Sequence, residues 1–415
     1  APQILISRSV VLTYEQIITD LRNKIYHPVY FLMGEEPYYI DALTDLIEDS
    51  ILTPAEKGFN QTVVYGRDVT IAEIVAMARR YPMMANYQVV IVKEAQDLFK
   101  ANDIQRLMDV IKVNETLESA KFARILPVIR EKNLRNAGDA AKAMGSEKAQ
   151  DLKLLDELFG HLQYLSSEPA KKYAGLINLL DHPVKSTILV FAYKYAKLDR
   201  RRSFAKKLEQ SGVLFESTRL YENKIPEWIT SYLRERRYAI DIPATALLTE
   251  YLGTDLARIA NELQKLVINI PEGTRIDTTL IEKYIGISKD YNVFELQKAL
   301  GAGDMHRTMQ IVNYFAANSK ENPVVKTIAM LFGFFTKLLL LHSQKDKSPQ
   351  ALAAVLSINP FFVKDYLQAA RVYPEARVEA VIRLLREYDM KAKGVGNVSL
   401  QDAELTRELI YRIMH

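Results

Sequence analysis

The segment Val29-Tyr-Phe-Leu-Met-Gly-Glu-Glu-Pro-Tyr38 has the frame of a phosphate-binding loop without its chemistry. An apolar strand, Val29 to Met33, runs into Gly34 and then into a helix expected from Tyr39 to Ile51. Such a unit holds phosphate when several glycines free the backbone N–H groups, with Lys and Ser/Thr for the phosphate oxygens and magnesium. Here Gly34 is the single glycine, and Glu35 and Glu36 follow it with charges that repel a triphosphate. The other half of such a site is a strand ending in a metal-binding acid. Gln88-Val-Val-Ile-Val-Lys93 is that strand, and Lys93 stands in the acid's place with Glu94 next to it. Two defaced halves on a surviving frame predict an NTPase-type fold kept for binding or mechanical work. No catalytic residue, nucleotide or other cofactor is expected.

Two further segments could bind a partner. In Tyr81-Pro-Met-Met-Ala-Asn86, Pro82 ends or kinks the preceding helix and takes Met83 and Met84 out of its apolar register. Two adjacent unbranched, polarizable side chains suit insertion into a partner's pocket. From the residues alone a hydrophobic plug between helix and sheet is slightly the better reading. The stretch 194–207 is the densest in positive charge, with Lys194, Lys197, Arg200, Arg201 and Arg202 interleaved with Tyr195 and Phe204. It reads as a phosphate-contacting or acidic-partner face, or as an ordinary solvated helix start. With no cysteine, disulfides, thiolate metal sites and cysteine nucleophiles are excluded. The six histidines are scattered without helical ligand spacing, so no metal site is expected. A net charge of +4 permits contact with nucleic acid without announcing it.

The elements that must position these residues alternate at first. Strands at 29–33, 62–65 and 89–92 are separated by helices at 14–24, 39–51 and 71–80, the last with Ile71, Ile74, Val75 and Ala78 on one face. That pattern predicts a parallel sheet with right-handed crossovers. No strand pattern appears between 100 and 170, which reads as helices inserted at the periphery before the sheet resumes at Ser186 to Phe191 and ends near Val213 to Phe215. The α/β domain is placed at 1–219, a small helical unit at 220–288 and a helical domain of about five helices at 289–415. The most apolar run, Thr327 to Leu341, is interrupted by Lys337 and reads as a buried helix too short to span a membrane. The first twelve residues lack the regions of a secretory signal, so a cytoplasmic location is expected.

In their order and spacing these residues resemble the delta subunits of the bacterial DNA polymerase III clamp loader. The likeness runs through Val29 to Tyr38, Tyr81 to Asp97, Ser186 to Val190, Lys197 to Arg201, the helix after Gly253, Phe294 to Asp304 and Asn359 to Lys364. The resemblance implies an AAA+ (RecA-like) fold that has lost its ATPase, followed by a helical lid and a helical collar that oligomerises with other loader subunits. It implies a non-catalytic part of a DNA polymerase (nucleotidyltransferase) holoenzyme that grips and opens the sliding clamp during replication. Implied partners are the clamp, the ATPase and delta-prime subunits, and primed DNA within the assembly, with no membrane. The family's clamp-contacting pair falls on Met83 and Met84, with Tyr81 beside them. Arg258 falls where the lid of AAA+ ATPases carries a nucleotide-sensing arginine, and reads here as a helix-surface arginine pairing with an acidic neighbour. The chain departs from the family in having Met-Met for the usual aliphatic–aromatic pair and a longer helical segment over 100–170. The alternatives are a DNA-binding adaptor working through 194–207, or a residual P-loop-type NTPase.

Overall fold

The computed structural model describes residues 3–4, 12–145, 148–395 and 401–415, in two compact units, 1–219 and 220–415. In the first, a two-residue strand β1 (Gln3–Ile4) pairs in parallel with β2 (Ile25–Tyr26), which follows helix α1 (Tyr14–Arg22). The central sheet begins with β3 (Val29–Gly34), followed by α2 (Pro37–Ser50), α3 (Pro54–Asn60), β4 (Gln61–Tyr65), α4 (Ile71–Ala78) and β5 (Gln88–Lys93). Five helices come next: α5 (Ala101–Glu118), α6 (Leu126–Glu131), α7 (Ala137–Met144), α8 (Ala149–Ser166) and α9 (Glu168–Asp181). The sheet then resumes with β6 (Thr187–Lys194), α10 (Ser203–Ser211) and β7 (Val213–Ser217).

The five strands are all parallel in the order β4-β5-β6-β3-β7. Every residue of β3 is buried, as a strand covered on both faces must be. Its side chains alternate between two cores. Val29, Phe31 and Met33 join α4, α5, α9 and α10 on one face, and Tyr30 and Leu32 join α1 and α2 on the other. Helix α3 has no counterpart in the sequence reading. It starts at Thr53, whose backbone N–H and hydroxyl both donate to the Glu56 carboxylate, at 2.8 and 2.7 Å.

The segment 100–170 is not the wholly peripheral excursion expected. Helix α5 carries Ile104, Leu107, Met108 and Ile111 at helical spacing, and Leu107 is fully buried in the core against the sheet. The excursion is narrower. Leu117, Phe122, Ile125, Leu126, Ile129, Ala140, Ala141, Leu155 and Leu158 form a separate small core of their own. Leu165, near the end of α8, touches both cores.

Among its described residues the second unit is helical apart from the short parallel pair β8 (Ala239–Ile240) and β9 (Arg275–Ile276), which sits among α11 (Ile225–Glu235), α12 (Ile242–Leu252), α13 (Leu256–Ile268) and α14 (Thr278–Ile285). Seven helices follow, where about five were expected: α15 (Val293–Ala302), α16 (Met305–Ala317), α17 (Val324–Ser343), α18 (Pro349–Leu356), α19 (Val363–Val372), α20 (Glu375–Ala392) and α21 (Asp402–Met414). At 20 residues and a mean hydropathy of 1.9, α17 has the length and composition to cross a bilayer, which corrects the expectation that this run is too short. One face of it is used within the protein. Ile328, Leu331, Phe334, Phe335, Leu338 and Leu341 belong to the core built with α20 and α21.

Candidate functional site

The C-terminal ends of β3 and β6 are neighbours in the sheet, and α2 leaves β3 where the strand order changes direction. In open α/β sheets ligands bind at this crevice. Here its donors are engaged by the protein itself. Gly34 N–H donates to the Ala196 carbonyl at 3.0 Å and Glu35 N–H to the Ser217 carbonyl at 3.2 Å. Glu36 N–H donates to the Ser217 hydroxyl at 3.2 Å, and Tyr38 N–H to the Glu36 carboxylate at 3.2 Å. Glu36 is buried and caps α2, so the end that would face phosphate is closed by the chain's own carboxylate. Gly34 is required for a local reason. Its φ is +133°, and a Cβ there would lie 2.1 Å from the Ser217 carbonyl oxygen.

The lysines of this end are likewise held inward. Lys93 Nζ lies 2.9 Å from Glu48 and 3.9 Å from Asp45, both on α2. Burial alone would lower the ammonium's pKa, but the Glu48 hydrogen bond and the nearby carboxylates hold it above the usual lysine value. Lys194 Nζ bridges Asp41 at 2.6 Å and Glu94 at 3.1 Å, with only 13% of its side chain exposed. Its pKa too is raised, burial being outweighed by those two acids. Glu94 is itself lowered: burial opposes its charge, while hydrogen bonds from Gln96 and Lys194 prevail. Lys194 therefore stands as a counter-ion inside the defaced site and is withdrawn from the basic face proposed from sequence.

The rest of that face is also partly structural. Arg200 binds Glu209 at 3.0 Å and the Leu214 carbonyl at 3.2 Å, tying α10 to β7. Arg201 is exposed but forks onto Asp199 at 2.9 and 3.0 Å, and Arg202 lies 4.0 Å from the same carboxylate. Lys197 remains largely exposed near Glu35 and Glu216. Of the five cations, Lys197, Arg201 and Arg202 face solvent with acids beside them, whereas Lys194 and Arg200 hold the fold.

The segment between α4 and β5 is different in kind. Tyr81 is 84% exposed, Met83 62%, and Met84 fully. A plug between helix and sheet is ruled out by these values. Pinning comes from side chains the sequence reading passed over. The Gln88 amide gathers the carbonyls of Met77, Ala78 and Arg80 at the end of α4, and Thr187 Oγ1 donates to Ala78 at 2.8 Å. Asn60, at the end of α3, accepts from Met83 N–H at 2.6 Å and donates to the Met83 carbonyl at 2.9 Å. An asparagine ending a helix carries no local sign of a partner 23 residues away. Arg258 lies exposed on α13, with its backbone N–H bonded to the capping Asp255. Among the described residues no cluster of metal-binding side chains occurs.

Two family models match this chain. The model described as DNA polymerase III, delta subunit, matches residues 30–117 and 153–218. The model described as DNA polymerase III delta subunit, C-terminal domain, matches residues 290–408. The break between 117 and 153 falls on the separate small core of α6 and α7. A DNA polymerase III subunit delta of Bacillus subtilis (strain 168) is 21% identical over 376 residues, which cover 90% of each chain. Among solved structures, a Bacillus subtilis DNA clamp loader delta protein is 18% identical, with a TM-score of 0.47 over 97% of this chain and 99% of that one. The RuvB Holliday junction branch migration motor of Thermotoga maritima is 12% identical, with a TM-score of 0.29 over 87% of each chain. The two family models together span well over half of the sequence and meet both structural units, and on them the chain belongs to the DNA polymerase III delta-subunit family.

Proposed function

We propose that this chain is a non-catalytic clamp-loader subunit that binds the sliding clamp through Met83, Met84 and Tyr81 and opens its ring during DNA replication. The observation that carries this reading is the exposure of Met83 and Met84 on a segment fixed by buried polar contacts. Exposed thioethers on a solvated surface gain nothing for the free chain, whereas in an apolar pocket each contributes its transfer energy. A mechanical role fits the crevice at the end of β3. Its backbone donors and lysines are satisfied within the protein, which removes the means of holding a nucleoside triphosphate. On this reading 220–288 is the lid and 289–415 the collar, which assembles with ATPase and delta-prime subunits in the cytoplasm around primed DNA. The adaptor alternative loses support because Lys194 and Arg200 are engaged internally.

The test is reconstitution. The full chain is mixed with the sliding clamp and ATPase loader subunits of its own organism and run on gel filtration. Co-elution with both is expected. Failure to bind the clamp, together with tight salt-sensitive DNA binding by the chain alone, would replace the proposal with the adaptor reading.

A further inference from the structure

The connection from α4 to β5 has no regular structure, yet the middle of it is held by one buried side chain. Asn60 is 4% exposed, and its carboxamide engages both backbone polar groups of Met83. The same Nδ2 donates to the Glu56 carbonyl at 3.1 Å, so the loop is tied to the last turn of α3. The residue after this clasp, Met84, has a φ of +55°. That left-handed conformation is unfavourable for a side chain with a Cβ, and it persists only where the surroundings over-determine it. Met84 has no burial of its own to offset the cost, since it is fully exposed. The bonds on Met83 hold it from one side, and Ala85, packed against the core of α1 and α2, holds it from the other.

The turn that supplies Asn60 also supplies Phe59, which is 76% exposed. Covalent and hydrogen-bond lengths limit the distance from the Phe59 Cα to the Met83 Cα to roughly a dozen ångströms. A phenyl ring and two thioether chains are long enough to make one apolar surface across that span. A single exposed apolar residue is ordinary; three on one fixed scaffold beside a strained backbone mark a contact surface.

We propose that Asn60 is a positioning residue that presets the Met83–Met84 loop for the sliding clamp, and that Phe59 is a third apolar contact with that partner. The proposal rests on the clamp-binding reading of Met83 and Met84 and adds how their geometry is fixed. A preset loop loses little conformational freedom on binding. A loop released from Asn60 is competent only part of the time, and its apparent affinity falls by that fraction.

The test compares full-length Asn60→Ala, Asn60→Asp, Phe59→Ala and the double variant Met83→Ala/Met84→Ala against the purified sliding clamp of the same organism. Association and dissociation rates are measured beside the melting temperature. Asn60→Ala should slow association about tenfold, as expected for a smaller competent fraction. Asn60→Asp keeps an acceptor for Met83 N–H but turns a buried carboxylate oxygen on the Met83 and Glu56 carbonyls, so it should associate no faster than Asn60→Ala. Phe59→Ala, at an exposed side chain, serves should an Asn60 variant fail to fold. Phe59→Ala should leave melting and association unchanged and speed dissociation about fivefold to tenfold, the usual signature of a lost contact. Native rates in folded Phe59→Ala and Asn60→Asp, with binding lost in the double methionine variant, would overturn this inference alone. Native rates in the double variant would overturn the clamp-binding reading beneath it.

Discussion

Truncating Met83 and Met84 together to alanine should weaken binding to the sliding clamp by about thirty- to a thousandfold without unfolding the protein. The magnitude follows from what each side chain has left to bury. A fully buried thioether chain is worth about 1.5–3 kcal/mol relative to exposure. Met84 is fully exposed in the free chain and can contribute that whole amount. Met83 is 62% exposed, so about three-fifths of the same gain, roughly 1–2 kcal/mol, remains available to it. Alanine keeps only the Cβ, and the expected loss for the pair is about 2–4 kcal/mol, each 1.4 kcal/mol being a factor of ten. Stability should hardly move, because both side chains are exposed and alanine at 84 keeps the Cβ, and with it the same φ penalty, that methionine already bears. Met84→Asp should bind worse than Met84→Ala, since a carboxylate would be desolvated in an apolar pocket without a partner. Clamp affinity by surface plasmon resonance and melting by calorimetry are measured on the same preparations. A folded double variant with native affinity would remove both residues from the interface, and a large fall in melting temperature would mean that they carry packing the exposures deny.

The satisfied donors at the end of β3 predict no binding of labelled ATP with magnesium in equilibrium dialysis, and micromolar binding would refute that account. Gly34→Ala should cost about 2–5 kcal/mol in denaturant unfolding, combining a disfavoured φ with a Cβ driven into the Ser217 carbonyl, and an unchanged midpoint would contradict the geometry. Leu107→Ala should cost about 2–5 kcal/mol because α5 belongs to the sheet's core, whereas Leu152→Ala on α8, where 38% of the residue is already exposed, should cost only about 1 kcal/mol. Burial, then the hydrogen bond to Asp103, pushes the Tyr173 phenol up to about 12 from its ordinary 10. A raised folded-state pKa gives stability that is whole below pH 10 and is lost as pH climbs toward 12, so the urea midpoint should fall over that window. Tyr173→Phe should make the fall shallower, with Tyr251 and Tyr373, also near 12 through burial, accounting for part of what remains.

The apolar runs of β3, β5 and β6 and the stripe Ile71, Ile74, Val75 and Ala78 are legible in the chain, because the two periodicities of strand and helix are local properties. The lost chemistry at Gly34, Glu35, Glu36 and Lys93 is legible too, since it depends on residue types along one stretch. The helix over 101–118 shows its apolar stripe in the sequence, but a stripe says that a face is buried and not against what. Its partner is the sheet, reached through non-local contacts, and the expected boundary at 100 therefore placed core residues in the excursion. Polar pairing is harder still to read. Lys194 meets Glu94 across 100 residues, and Asn60 meets Met83 across 23, with nothing in either neighbourhood to announce it. Exposure of Met83 and Met84 is of the same kind: their composition fits a core plug as well as a docking surface. The sequence determined which residues could bury themselves or carry charge. Only the tertiary structure decided which of them did so, because burial and ion pairing belong to distances between segments and not to order along the chain.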